Sequence, residues 1–205
     1  MYSPSYNRLE DRRELLEFMR ANSFAVLVTG TGGTLHASHL PVQVREAGDK
    51  IVLDMHMAKN NPQWQEFFDD EVMVVFSGPH AYVSPRWYEE QERVPTWNYA
   101  AVHVYGIPKV IADKKLKHEN QRRLVQVLDP KWLPKFDALS PEYVSKMLDG
   151  IVNFEIEVTR IDTRWKLSQN RSRREQELIA AALEKSTDSS ERALAALTRK
   201  HLVEK

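Results

Sequence analysis

The stretch Phe24-Ala25-Val26-Leu27-Val28-Thr29-Gly30-Thr31-Gly32-Gly33 decides the fold. Six residues rich in β-branched and apolar side chains run without interruption into a glycine cluster, the signature of a buried strand ending in a hairpin turn. Thr34–Arg45 continues as the return strand, and Glu46-Ala47-Gly48-Asp49 turns the chain again into a third strand over Ile51–Met57. Three strands joined by short turns form an antiparallel meander.

Outward from this core, Leu9–Arg20 spaces Leu15, Leu16, Phe18 and Met19 among charges, which predicts an amphipathic helix with Asn7 as its cap. A short helix is expected over Pro62–Phe68 and a buried strand over Val72–Phe76. Ala81-Tyr82-Val83 resumes the sheet after a break at Gly78-Pro79, and Pro85–Arg93 reads as a helical turn or loop. Thr96–Ile111 and Ile151–Ile161 alternate as half-buried strands. Helices are predicted over Asp113–Leu128 and Pro141–Leu148, the second capped by Ser140. Two Ala/Leu-rich helices, Ser172–Lys185 and Ser190–Leu202, close the chain. Five or six antiparallel strands followed by helices imply an α+β domain built on a closed or partly closed barrel. The one break in pattern lies near Asn170, which gives a domain over 1–170 and a helical extension over 171–205.

The 205 residues are 42% apolar, enough for a packed core. Twenty-nine basic residues balance 29 acidic ones, which removes the global electrostatic case for nucleic-acid binding. The absence of cysteine excludes disulfides, thiolate zinc sites and a cysteine nucleophile. The N-terminus lacks the cationic start and apolar run of a signal peptide, and no run approaches the roughly 18 apolar residues of a membrane span. A soluble, cytoplasmic protein is expected.

Several constellations can be dismissed. His36 and His39 stand three apart on one strand, so they point to opposite faces and cannot chelate together. No H-E-x-x-H motif or G-x-S-x-G elbow occurs, and Gly30, Gly32 and Gly33 join two strands rather than opening a helix. The tail from Lys166 onward carries nine Lys/Arg against six Asp/Glu, a weak charge for a DNA-contacting element.

Three segments carry more chemistry. His56-Met57-Ala58-Lys59-Asn60-Asn61-Pro62-Gln63-Trp64 runs from a strand end through a polar loop into a proline-started helix. It reads either as an anion site, where backbone N–H groups and a cation meet, or as a surface loop capped by Asn61. Val94-Pro95-Thr96-Trp97-Asn98-Tyr99 is either a buried aromatic anchor or a platform for a flat ligand, with Asn98 binding its polar edge. Trp165-Lys166-Leu167-Ser168-Gln169-Asn170-Arg171 gathers two cations and three small polar side chains at a strand exit, more than a solvated strand end requires.

These segments, with Tyr2-Ser3-Pro4, Ser38-His39-Leu40-Pro41 and Gly78-Pro79-His80-Ala81-Tyr82, occur in an order that resembles the PaiB-like, FMN-binding negative transcriptional regulators of protease synthesis and sporulation. The resemblance runs to Arg171. It implies an antiparallel Greek-key split barrel with flanking and C-terminal helices, paired as a homodimer with FMN at the subunit interface. By position it places Ser38 and His39 on a strand beside the flavin. His56, Met57, Ala58, Lys59, Asn60 and Asn61, followed by Trp64, would contact ribityl and phosphate, with Lys59 the phosphate cation. Trp97, Asn98 and Tyr99 would approach the isoalloxazine ring, from the same or the partner subunit. Lys166, Ser168, Gln169, Asn170 and Arg171 would complete the site. The leading expectation is an FMN-binding regulator, with DNA as a partner that charge supports only weakly. A flavin-dependent oxidoreductase, related to pyridoxine phosphate oxidases or flavin reductases, is the alternative, and a haem-handling barrel ranks third.

Overall fold

A computed structural model describes residues 1–68, 70–89 and 92–202. Six strands, β1 (Phe24–Thr31), β2 (Thr34–Ala47), β3 (Lys50–Ala58), β4 (Val72–Val83), β5 (Thr96–Ile111) and β6 (Ile151–Lys166), close into a barrel in the order β1-β2-β3-β6-β5-β4. The meander of the first three strands is as the sequence predicts. Thr31 pairs with Thr34 around Gly32 and Gly33, both at positive φ, and Ala47 pairs with Lys50 around Gly48-Asp49. Two-residue loops of this kind need left-handed backbone to match the twist of the strands they join, which glycine supplies without a Cβ clash. The crossover comes next: β4 returns to pair with the far side of β1, and β6 pairs with β3.

Two compact units make up the chain. One comprises Ser23–Val75 and Val104–Arg160. Its strands bury alternate residues, Leu27, Leu53, Val74, Val104, Phe154 and Ile156 among them, and Phe67 packs its ring 4.9 Å from that of Phe154. Helices α2 (Lys114–Leu128), α3 (Leu133–Asp137) and α4 (Pro141–Asp149) belong to this unit. Asp113 caps α2 and Ser140 caps α4 through side-chain oxygens that accept backbone N–H bonds. Lys117 Nζ ties α2 to the Ile151 carbonyl at 3.1 Å.

The other unit comprises Met1–Asn22, Phe76–His103 and Ile161–Lys205. Here α1 (Arg12–Ala21) buries Leu15, Leu16, Phe18 and Met19, with the Phe18 ring 4.7 Å from that of Trp165. The tail folds as α5 (Arg173–Leu183) packed on α6 (Ser189–Lys200). Ser190 at the start of α6 exchanges hydrogen bonds with the His80 backbone, at 2.9 and 3.0 Å. At its other end Lys200 and His201 meet Glu14 of α1 at 3.0 and 2.6 Å.

Several details differ from expectation. Helix α1 starts at Arg12 with Asp11 as the cap, because the Asp11 carboxylate accepts from Glu14 N at 2.8 Å. Strand β4 runs through Gly78-Pro79 unbroken. Gly78 is there for close approach, since a Cβ would strike the Phe18 ring. The Pro62 helix is a five-residue 3₁₀ turn ending at Glu66, and the Pro85 turn ends at Trp87. Glu90 and Gln91 of that loop lie outside the described residues. Short α3, whose N-cap Trp132 makes no side-chain capping bond, has no sequence signal of its own.

Candidate functional site

The Lys59 loop leaves the end of β3 and is fixed by its backbone. Lys59 N–H donates to Gly150 O at 2.9 Å, Asn61 N–H donates to Ala58 O at 2.9 Å, and the Trp64 indole N–H donates to Lys59 O at 3.0 Å. Asn61 is the keystone side chain. Its Nδ2 donates to Ser38 Oγ at 2.9 Å, and its Oδ1 accepts from Gln63 N at 3.0 Å, capping the 3₁₀ turn. Proline at the first position of that turn has no N–H to leave unpaired. Lys59 and Asn60 are left exposed on a stiff rim. The backbone N–H groups expected to meet an anion are taken within the fold at Lys59, Asn61 and Gln63, so the Lys59 and Asn60 side chains are what this rim offers a phosphate.

Gln63, named in the motif but given no site role, is the residue on which this rim rests. It is buried, and its Nε2 donates toward Leu27 O, Thr29 Oγ1 and His36 O at 3.2–3.3 Å. Thr29 Oγ1 in turn donates to Glu66 at 2.6 Å, and the other Glu66 oxygen meets His36 Nδ1 at 2.5 Å. The 3₁₀ turn is thus bolted to the first hairpin by side chains that read as ordinary surface polar residues in sequence.

The remaining residues expected in this segment have different surroundings. His39 sets its ring 5.9 Å from that of Phe24, on the strand face opposite Ser38. Met57 is buried and offers only backbone to any ligand. His56 is largely buried, and burial holds its pKa below the ordinary histidine value, so the ring is neutral at pH 7.

The second group of expected residues lies in the other unit. Asn98 at the start of β5 is fully buried, and its Nδ2 donates to Ser168 Oγ at 2.8 Å. Ser168 holds φ at 64°, an uncommon conformation for a residue with a Cβ, and this hydrogen bond fixes it. Gln169 accepts from Leu167 N at 2.7 Å and donates to Trp165 O, so both ends of its amide shape the loop. Arg171 N–H closes the turn on Ser168 O at 2.9 Å, and its guanidinium lies 4.4 Å from the centre of the Tyr88 ring. Lys166 donates to Thr96 Oγ1. Burial, then the Arg164 charge, lowers its pKa.

Asn98, Ser168 and Gln169 therefore build a scaffold. Trp97, Tyr99, Asn170 and Arg171 keep surface that a ligand can reach. Trp97 is half exposed and stacks on His80 at 5.8 Å with 30° between planes, with Tyr82 edge-on at 6.3 Å. Trp97, Tyr99, His80 and Gly78 line an open hollow of about 300 Å³.

The six-stranded antiparallel barrel is a split barrel of the flavin-binding class. Solved structures with this fold include the flavocytochrome Anf3 from Azotobacter vinelandii, with TM-score 0.61 and 16% identity over 78% of this chain and 69% of that one. A FAD and heme binding protein from Mycobacterium smegmatis follows, with TM-score 0.60 and 15% identity over 78% and 73%. Residues 1–160 match the family described as "Putative FMN-binding domain". The "Protease synthase and sporulation protein PAI 2" of Bacillus subtilis is 40% identical over 174 residues, covering 84% of each chain. The chain belongs to this PaiB-like family of FMN-binding proteins, and FMN is the family's cofactor.

Proposed function

We propose that the protein is a homodimeric negative transcriptional regulator whose interactions depend on bound FMN. The rigid rim of Lys59 and Asn60 carries the cofactor part of this reading, and the 40% identity to the Bacillus protein across 84% of both chains supports the regulatory part. Lys59 holds the phosphate, with Asn60 beside it. Ser38 and Asn61 shape the loop, while Ala58 and the Met57 backbone lie along the ribityl chain with His56 and His39 near its end. Trp97 and Tyr99 supply aromatic surface toward a flavin ring, that of the same or of the partner subunit. Asn98, Ser168 and Gln169 keep the segment that carries Asn170 and Arg171 in place. FMN, when bound, supplies one- and two-electron redox chemistry.

The tail bears on how such a regulator reaches DNA. Leu194, Ala195 and Thr198 of α6 are buried, and both ends of the helix are tied down. A helix engaged in this way is a packing element, so contact with DNA falls to other surfaces. The competing oxidoreductase reading draws on the open aromatic hollow at Trp97 and Tyr99.

The first experiment is FMN titration of purified protein with light scattering of the loaded form. One FMN per subunit in a dimer is expected. Protein that fails to bind added FMN, or binds it as a monomer, overturns the reading. DNA binding with a specificity ratio that survives moderate salt supports regulation, whereas steady turnover of NADH or NADPH with an acceptor supports the enzyme.

A further inference from the structure

Helix α2 grips the end of α4 through Lys114 and Lys117, whose spacing sets both on one face of the helix. Lys114 Nζ donates to Ser145 Oγ at 3.0 Å and pairs with the Asp149 carboxylate at 2.9 Å. Lys117 Nζ donates to Ile151 O at 3.1 Å and toward Leu148 O at 3.4 Å. Carbonyls at the end of a helix have no partner within it and carry the negative end of its dipole, so a cation from a neighbouring helix suits them.

The turn held in this way is the one on which the Lys59 loop rests. Ala58 pairs with Ile151 as the last rung of the β3–β6 ladder, and the next bond along runs from Lys59 N–H to Gly150 O at 2.9 Å. Gly150 N–H donates back to Met147 O at 3.1 Å. Lys117 therefore clamps the carbonyls on either side of Gly150, while the Gly150 carbonyl carries Lys59. Charge converges on the same place. Asp149 is exposed, and the bond from Lys114 holds its carboxyl below the ordinary carboxylate range, helped by the charges of Lys114, Lys117 and Lys59. Three ammonium groups thus face one carboxylate, and the balance beside the Lys59 rim is positive.

We infer that Lys117 is a positioning residue for the phosphate end of FMN, and that Asp149 is the counter-charge that limits how tightly the phosphate is held. The inference rests on the reading of Lys59 as the phosphate cation. Lys117 acts without touching the ligand: its ammonium is spent on the turn, where it fixes the Lys59 backbone and adds positive potential behind it. Asp149 acts in the opposite sense, because a carboxylate near Lys59 repels the phosphate that Lys59 attracts. Riboflavin has no phosphate for either residue to influence, so it is the internal control.

Fluorescence titration of the full-length protein with FMN and with riboflavin tests this. Lys117→Met keeps the apolar stem and removes the ammonium. It is expected to weaken FMN about fivefold, the size of one net hydrogen bond, with riboflavin changed less than about twofold. Lys117→Arg, which keeps a donor and a charge, is expected to hold FMN affinity within about twofold of wild type. Asp149→Asn is expected to tighten FMN about two- to threefold at low salt, a gain that fades as salt screens the site. Equal losses of FMN and riboflavin in Lys117→Met, no loss of FMN, or a loss as large in Lys117→Arg overturns the inference. Weaker FMN binding in Asp149→Asn also overturns it, and that exposed position keeps the test open where Lys117→Met fails to fold. Lys59→Ala tells the failures apart. A loss selective for FMN there, without one in Lys117→Met, sinks this inference alone, whereas equal loss of FMN and riboflavin in Lys59→Ala overturns both readings.

Discussion

Replacing Asn61 with alanine removes both hydrogen bonds that its side chain contributes to the Lys59 loop. The capping bond to Gln63 N, at 3.0 Å, is of a kind whose loss costs about 1 kcal/mol. The bond to Ser38 Oγ, at 2.9 Å, contributes about 1 kcal/mol net. Asn61 is only half-buried, so water partly re-pairs the groups left behind, and the total is about 2 kcal/mol rather than more. In urea unfolding this appears as a lower midpoint at unchanged slope. In FMN titration it appears through the fraction of chains with an ordered loop: about 2 kcal/mol is a factor of about 30, the upper bound on lost affinity. The three surviving ties, the backbone bonds of Lys59 and Asn61 and the Trp64 indole bond to Lys59 O, keep the loss nearer fivefold. Ser38→Ala alone should cost about 1 kcal/mol, and the double variant no more than Asn61→Ala, because the two side chains share one bond. Asn61→Asp retains the cap but sets a carboxylate on the rim, so it should weaken FMN more than riboflavin. Additive losses from Ser38→Ala and Asn61→Ala, or an FMN affinity within twofold of wild type despite lowered stability, would refute the claim that loop order governs binding.

Three further outcomes follow from the same geometry. Lys59→Ala should weaken FMN about tenfold, the size of a charge-assisted hydrogen bond, while riboflavin changes less than twofold in fluorescence titration; equal losses would end its phosphate role. Gly106→Ala should destabilise by about 2–3 kcal/mol in urea, because the added Cβ meets the Glu157 carbonyl and stands 2.6 Å from an Ile156 methyl, where little can yield. Stability should fall as pH drops below about 6.5, since burial, the first cause at both sites, holds His56 and His103 below their ordinary values and the unfolded chain binds protons first. His56→Gln should flatten part of that slope between pH 7.5 and 5.5, and a midpoint that rises on acidification would contradict the assignment.

Much of the fold was legible because strand alternation and turn chemistry are local. The hairpin at Gly32-Gly33, the full extent of β5 and the cap at Ser140 follow from neighbouring residues alone. Gly78-Pro79 misled for the same reason. Its glycine answers to Phe18, sixty residues away in the chain, and no local signal distinguishes a glycine needed for close approach from one needed for a turn.

The sequence by itself determined an α+β antiparallel barrel, the proline-started turn after β3 and the order of motifs that resembles an FMN-binding family. Tertiary structure decided which side chains within those motifs are exposed to a ligand and which hold the frame. Asn98 reads as a ligand contact in sequence, yet its amide is spent on Ser168. Gln63 reads as surface, yet it is buried under three hydrogen bonds. Asn153 gives no sequence signal, and only the pairing of β3 with β6 sets it, buried, beside His56. The reason is physical: residue type fixes what bonds a side chain can make, but its burial and its partners are set by chain segments far apart in sequence.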